Sequence, residues 1–379
     1  FGGKSDLLAT CQTYTGDAGC YKKSIAYLDA ATPAKMKATL AEWIDEAPYV
    51  LTILPNEKLG VNESSIDRTQ GIPFPTEKVS FKFPKLQTAT LSNGAKVVLA
   101  QRQGIPLVEM NFQFNFGYAQ ENNDELGYTN FMMDMLNEGT KKYSSLEFDS
   151  ILGSLGSNIG FGSDLDTSFV SVSSLKSNLD QTLDLAKEAV MFPTFPSNEI
   201  ARIKKQTLAA FKRDEFRASS IAFRNIGKLL YGEDHPYGKL LIGAGVSETI
   251  QNIDAEKLSD LHKRALNPQN LTFTVAGDIS IDEIVSLLES KFGNWKSESG
   301  SSLRDLPKMP LPENRMVYLI NKPNAEQSYI VAGQLLPPTA TAEEIKINYM
   351  NYAIGGSFTS RLNMNIREDK SCSYVARTL

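Results

Sequence analysis

No run of apolar residues in this chain approaches the ~20 that a membrane-crossing helix needs. No long basic run is present either, and the net charge of −5 is spread along the sequence. Nucleic acid and anionic membrane are therefore poor candidates for partners. Histidine is scarce, with only His235 and His262, and the three cysteines, Cys11, Cys20 and Cys372, form neither a C-x-x-C pair nor an even disulfide framework. That pattern favours free thiols at Cys11 and Cys20 over a bond between them, and it leaves the redox compartment open. The opening residues, Phe1-Gly2-Gly3-Lys4-Ser5-Asp6, lack an initiator Met and any signal-peptide pattern. The sequence reads as beginning inside something longer, with any targeting segment upstream.

What is present is ordinary for a globular chain: 379 residues, 41% hydrophobic and 22% charged. That length gives room for about two to three domains. Residues 32–46 have a helical spacing of Met36, Leu40, Trp43 and Ile44, and Tyr49 to Leu54 reads as a strand. Residues 56–85 lose all periodicity among scattered Gly and Pro, which marks a linker. Thr88 to Leu99 predicts a hairpin turning at Ser92-Asn93-Gly94, and Glu109 to Phe116 alternates polar and apolar as a half-buried strand does. Phe112, Phe114 and Phe116 read as core on that alternation. Helices are expected at 125–137, 145–155, 178–191, 197–216 (with Ser197 as N-cap), 219–230, 254–265 and 280–292. A strand pair is expected at 157–175 and a single strand at 271–276. Residues 297–314 read as a second linker. Beyond it come strands 316–320 and 327–334, helix 341–353 opened by a Thr341-x-x-Glu344 capping box, and helix 357–370.

An internal repeat organises this pattern. Lys35 to Ile53 resembles Lys257 to Val275, and Val97-Val98-Leu99-Ala100 resembles Val317-Tyr318-Leu319-Ile320, both at an interval of about 220 residues. A period that long means tandem copies of one domain. On this frame 1–55 is the C-terminal tail of an upstream copy, 56–85 a linker and 86–298 a whole copy. Residues 299–313 form a second linker, and 314–379 the truncated front of a companion copy. The expected fold class is α+β: tandem copies of a mixed, mostly antiparallel sheet with helices packed on one face. The truncated front should expose apolar surface.

The segment Gly127 to Ser144 contains Asn130-Phe131-Met132-Met133-Asp134, then Met135-Leu136-Asn137-Glu138-Gly139-Thr140. It resembles the signature of the pitrilysin/insulinase zinc peptidases, in which H-x-x-E-H precedes M-L-x-x-G-T. The resemblance continues through His235-Pro236-Tyr237-Gly238, Val275-Ala276-Gly277-Asp278, Gly355-Gly356-Ser357-Phe358 and Arg367-Glu368-Asp369-Lys370. It implies a mitochondrial-processing-peptidase-like metallohydrolase domain. In that motif two His four apart grip one Zn²⁺, and the intervening Glu is general base on the metal-bound water. Here the first His position is Asn130, the base is Met133 and the second His is Asp134, while the distal ligand position falls near Ala210. Asn is a feeble ligand, Met takes no proton and Ala offers nothing. No metal is expected in this chain.

The family closes a catalytic and a degenerate half around the substrate. The degenerate half contributes an Arg and a Tyr, which the resemblance carries to Arg367 and Tyr374: a charged fork for a substrate carbonyl and a phenolic donor for an oxyanion. From the residues alone, Arg367 would instead pair with Glu368 or Asp369, and Tyr374 would be an ordinary strand residue. His235 and His262 read as hydrogen-bonding or packing residues. Asp134, Asp164 and Asp166 remain as acidic candidates for a divalent cation, though such residues are ordinarily solvated. The resemblance thus implies the non-catalytic, substrate-binding half of a bacterial zinc metalloendopeptidase, periplasmic or otherwise extracytoplasmic. Zinc would lie in an upstream catalytic half or partner subunit, and a peptide or unfolded protein would be the substrate. The alternative is a structural or assembly protein built on the same fold.

Overall fold

The computed structural model describes residues 3–44, 51–52, 83–239, 243–296, 306–309 and 316–378. They fall into two compact units, Phe1–Ser80 and Phe81–Leu379. The strand expected at Tyr49–Leu54 lies outside the described residues apart from Leu51 and Thr52, which carry no strand. Most of both expected linkers lies outside them as well.

The first unit has three helices: α1 (Gly3–Thr15), α2 (Tyr21–Asp29) and α3 (Pro33–Ile44). Cys11 and Cys20 form a disulfide that ties α1 to the residue before α2. This corrects the free-thiol expectation. Nine residues apart in sequence, the two thiols are brought together by the bend between the helices, which spacing alone does not disclose. Cys11 is the one buried apolar residue described in this unit.

The second unit is built on a six-stranded sheet in the order β1-β2-β6-β3-β5-β4. Its strands are β1 (Gln87–Thr90), β2 (Lys96–Gln101), β3 (Leu107–Phe114), β4 (Asn158–Ser163), β5 (Ser168–Leu175) and β6 (Leu271–Gly277). Neighbours pair antiparallel except β2 with β6. The β1–β2 hairpin turns as the sequence dictates: Gly94 takes φ +92°, and Asn93 Oδ1 accepts the Ala95 N–H at 3.1 Å. Along β3 the period of two is strict. Val108, Met110, Phe112 and Phe114 are buried, whereas Glu109 and Asn111 lie open.

Helices cover the buried face. They are α5 (Ser145–Ser154), α6 (Leu179–Met191) and α12 (Ile281–Phe292), each in contact with a strand of the sheet. Phe112 meets Phe273 at 4.8 Å and Phe292 at 5.5 Å, edge to face in both cases. Such pairs contribute ~0.5–1.5 kcal/mol beyond the area they bury. Ser280 and Glu283 cap α12 reciprocally, as Ser144 and Glu147 cap α5. The expected mixed, mostly antiparallel sheet with helices on one face is therefore present. One such sheet exists among the described residues.

The remaining helices are α4 (Tyr128–Asp134), α7 (Ser197–Asp214), α8 (Ala218–Tyr231), α9 (Pro236–Lys239), α10 (Ser247–Gln251), α11 (Ala255–Ala265), α13 (Ala342–Asn351) and α14 (Arg361–Asn363). The N-cap of α7 is Pro196 rather than Ser197, which is already helical. Residues 316–338 form neither expected strand, and no described strand lies paired with their apolar runs. Val317, Leu319 and Ile330 stand almost wholly exposed. Thr341 accepts no capping bond: its hydroxyl donates to the Pro338 carbonyl at 3.3 Å, and the Glu344 carboxylate accepts the Ala340 N–H at 2.7 Å. In place of a helix at 357–370, α14 lies between π-helical turns at Tyr352–Gly356 and Met364–Asp369.

Candidate functional site

The motif segment forms α4, whose position is fixed by main chain. Gly127 takes φ +91° at its start, and a Cβ there would lie 2.6 Å from the Gly245 Cα. Gly245, also at positive φ, would meet the Gly127 Cα at 2.9 Å in the same way. The two glycines let the backbones cross in contact. Six residues before Gly127, the buried Glu121 turns its carboxylate onto the helix start. It accepts the Gly127 N–H at 2.8 Å and the Thr129 N–H at 2.6 Å. It thereby satisfies two donors that have no partner within the helix. Burial pushes the Glu121 carboxyl up to about 7, against those two hydrogen bonds, which lower it.

Asn130, at the first ligand position, is held at both ends of its amide. Nδ2 donates to the Gly243 carbonyl at 3.0 Å, and Oδ1 accepts the Ser163 hydroxyl from the end of β4. Gly243 is at φ +61°, and a Cβ on it would press Asn130 Nδ2 and the Tyr118 ring at 2.5 Å. Burial, with Asp164, Glu121 and Asp166 nearby, raises the Tyr118 phenol to about 12. Met133, at the base position, is fully buried in the core. Asp134 keeps contact with solvent while its inner side packs against protein. Desolvation first, and Glu138 second, raise its carboxyl. Ala210 is half-buried on α7 and presents only a methyl group.

These residues do not fit zinc. The amide oxygen of Asn130 is already engaged, the thioether of Met133 lies in the apolar core, and a single carboxylate remains. The described residues contain no group of three His, Cys, Asp or Glu able to hold a metal ion. The other acidic candidates have structural partners. Asp164 Oδ1 accepts the N–H groups of Asp166 and Thr167 at 2.8 and 2.7 Å, closing the β4–β5 turn. Asp166 accepts the Tyr237 hydroxyl at 2.6 Å, which, after burial, holds that phenol above its usual range.

Both histidines are structural. His235 Nδ1 accepts the Tyr237 N–H at 3.0 Å, which leaves Nε2–H to donate to the Pro307 carbonyl at 3.0 Å. His262 is half-buried and reaches the Val190 carbonyl at 2.7 Å, with its protonated form disfavoured chiefly by desolvation of the ring.

Arg367 and Tyr374 are brought together. The guanidinium lies 4.8 Å from the Tyr374 ring centre and 5.0 Å from that of Phe358, while Nε pairs with Glu368 Oε1 at 3.2 Å. Tyr374 is 83% exposed and lies outside any strand. The arrangement is a cation between two aromatic faces, with one edge neutralised and the terminal amines carrying no hydrogen bond among the described residues. Sequence reasoning missed Glu121 as the organiser of α4. Its signal, a lone acid several residues before the motif, has no fixed spacing rule.

Together, the mixed sheet with helices on one face and a motif helix whose ligand positions do not fit zinc define a class: a metallopeptidase-type α+β domain with an altered motif helix. Two family models cover most of the second unit. One, described as insulinase (peptidase family M16), matches residues 96–242, and the other, described as peptidase M16 inactive domain, matches residues 252–377. The chain belongs to the M16 insulinase family.

Among curated relatives, the "uncharacterized zinc protease YmxG" of Bacillus subtilis is 23% identical over 285 residues, covering 75% of this chain and 68% of that protein. The "non-peptidase homolog YmxG" of Helicobacter pylori is 23% identical over 299 residues, covering 77% and 68%. Among solved structures, a peptidase M16 inactive domain from Pseudomonas fluorescens matches with a TM-score of 0.67 at 24% identity, over 76% of this chain and 69% of that one. The first half of the Escherichia coli periplasmic protease PqqL matches at 0.54 and 22%, over 59% and 50%. At these identities the structural matches speak to fold alone.

Proposed function

We propose that this chain is the non-catalytic, substrate-binding part of a two-part zinc metalloendopeptidase, whose zinc and general base lie in a second family domain. The observation that carries this reading is Asn130: the motif helix keeps its place while its first ligand position is consumed by Gly243 and Ser163. Support comes from the match to an inactive-domain model and from a relative called a non-peptidase homologue. Within this reading, Arg367 and Tyr374 contact the substrate, the exposed phenol as donor and the free guanidinium edge as a carbonyl clamp. An extracytoplasmic location suits the Cys11–Cys20 bond, since disulfides persist in oxidising compartments. The periplasmic PqqL is a fold neighbour in the same sense.

The test is in two parts. Purified chain should bind no stoichiometric zinc and cleave no member of a peptide library. It should nevertheless bind an unfolded peptide, and Arg367→Ala should weaken that binding by about tenfold, read by fluorescence anisotropy. Chelator-sensitive cleavage by the chain alone would defeat the first part, and unchanged affinity in Arg367→Ala the second. A structural or assembly role is the second reading, and the Glu368 contact that already occupies Arg367 Nε favours it. Under that reading, peptide binding is absent from the start.

A further inference from the structure

One face of α7 is basic along its length, in a chain whose net charge is −5. Between Ile200 and Arg213 the helix holds Arg202, Lys204, Lys205, Lys212 and Arg213 and no acidic residue. Lys204 is turned aside, donating to the Gln251 carbonyl at 2.9 Å. Arg202 is anchored by Glu138 at 2.5 Å and by Glu199 at 2.6 Å. Lys205, Lys212 and Arg213 are exposed, and among the described residues their side chains meet no carboxylate and no hydrogen-bond acceptor.

Lys212 and Arg213 lie in the last turn of α7, where cations complement the helix dipole. Lys205 lies about two turns earlier and gains nothing from it. It stands with Arg202, Gln206, Ala209 and Arg213 around a groove of about 440 Å³. A helix spans the eight residues from Lys205 to Arg213 in ~12 Å. In an extended peptide, side chains at i and i+4 project from one face ~13 Å apart. The two free cations therefore match the acids of a Glu-x-x-x-Glu segment lying along the helix. Between them Ala209 presents only a methyl group, and the exposed Gln206 offers an amide that donates to or accepts from a peptide group.

We infer that this face of α7 is a subsite for acidic peptide segments, selecting extended substrates that carry two carboxylates four residues apart. Ala210, at the distal ligand position, follows Ala209 on the same helix, so the subsite borders the altered motif site. Nucleic acid or an anionic membrane is the poorer occupant, because the patch is one helix long and the rest of the chain is net negative. The inference rests on the proposed function for the existence of a peptide ligand, and it deepens that reading by naming the substrate class.

The experiment follows the anisotropy of labelled Glu-x-x-x-Glu and Gln-x-x-x-Gln peptides, with Gly and Ser between the paired residues, on the full chain. The acidic peptide should bind about fivefold tighter, the size that two exposed ion pairs supply, and high salt should erase the difference. Lys205→Gln/Arg213→Gln should abolish the preference with helicity unchanged. Lys205→Glu/Arg213→Glu should transfer it to a Lys-x-x-x-Lys peptide. Arg367→Ala should weaken all the peptides alike and leave the preference intact. Equal binding of the acidic and amide peptides overturns the inference and leaves the proposed function standing. Binding of no peptide at all defeats the proposed function, and the inference with it. Displacement of the acidic peptide as readily by a single-stranded oligonucleotide or by anionic vesicles shows general polyanion binding and also overturns the inference.

Discussion

Asn130 donates its amide N–H to the carbonyl of Gly243 at 3.0 Å, across 113 residues of sequence. With Ser163 on the amide oxygen, this bond fixes the position where an active relative would place a metal-binding imidazole.

Asn130→Ala leaves the Gly243 carbonyl and the Ser163 hydroxyl without their partner. A part-buried pair of that kind costs ~1–3 kcal/mol when one side is removed. Urea unfolding should show the unfolding free energy falling by that amount, read as a lower midpoint at an unchanged slope. No loss of stability would mean that the amide does not tie β4 to α4.

Met133→Glu, which restores the catalytic base in name, places a carboxylate in a fully buried apolar site. An uncompensated buried charge costs on the order of 3–5 kcal/mol. The variant should be strongly destabilised and should gain no peptidase activity. A variant as stable as the parent would show that position 133 can reach solvent.

Glu121 gives stability a pH dependence of definite sign. Its folded carboxyl titrates at about 7, against an ordinary 4.5. Between those values the folded chain binds more protons than the unfolded chain, so stability is greatest on the acid side and declines as pH rises. The loss is on the order of 3 kcal/mol. His262 works against it. Burial depresses its pKa below 6.5, so its contribution is present above that pH and lost on acidification. Comparing the chain with Glu121→Gln at each pH cancels the His262 contribution. The difference curve should slope between about pH 4.5 and 7 and be flat above. A flat difference throughout would contradict the burial of this carboxylate.

Reducing the Cys11–Cys20 bond releases the short loop between α1 and α2. Loop-closure entropy for about ten residues gives ~2–3 kcal/mol. Because the helices of the first unit bury little else, circular dichroism should show helicity lost on reduction. Cys11→Ser/Cys20→Ser should reproduce the loss, and full helicity in that variant would count against this role for the bond.

The second unit was largely legible in the sequence because its signals are local. Asn93-Gly94 fixes the hairpin, the alternation through Phe114 fixes the central strand, and Ser280 with Glu283 fixes the start of α12. The failures were where distant partners decide. Val317 to Ile320 is an apolar run such as a strand offers but has no described neighbour to pair with, and the Thr341 hydroxyl turns to the Pro338 carbonyl instead of capping its helix. At the site, the loss of ligands at Asn130, Met133, Asp134 and Ala210 could be read from residue type alone. What fills their places could not, because Gly243 and Ser163 arrive from remote parts of the chain.

The crossing of Gly127 and Gly245 bears on how such a helix outlives its chemistry. Two main chains touching where no side chain intervenes hold the start of α4 by a joint in which 130, 133 and 134 take no part. An ion would be a passenger on that helix, so its departure need not have moved the scaffold.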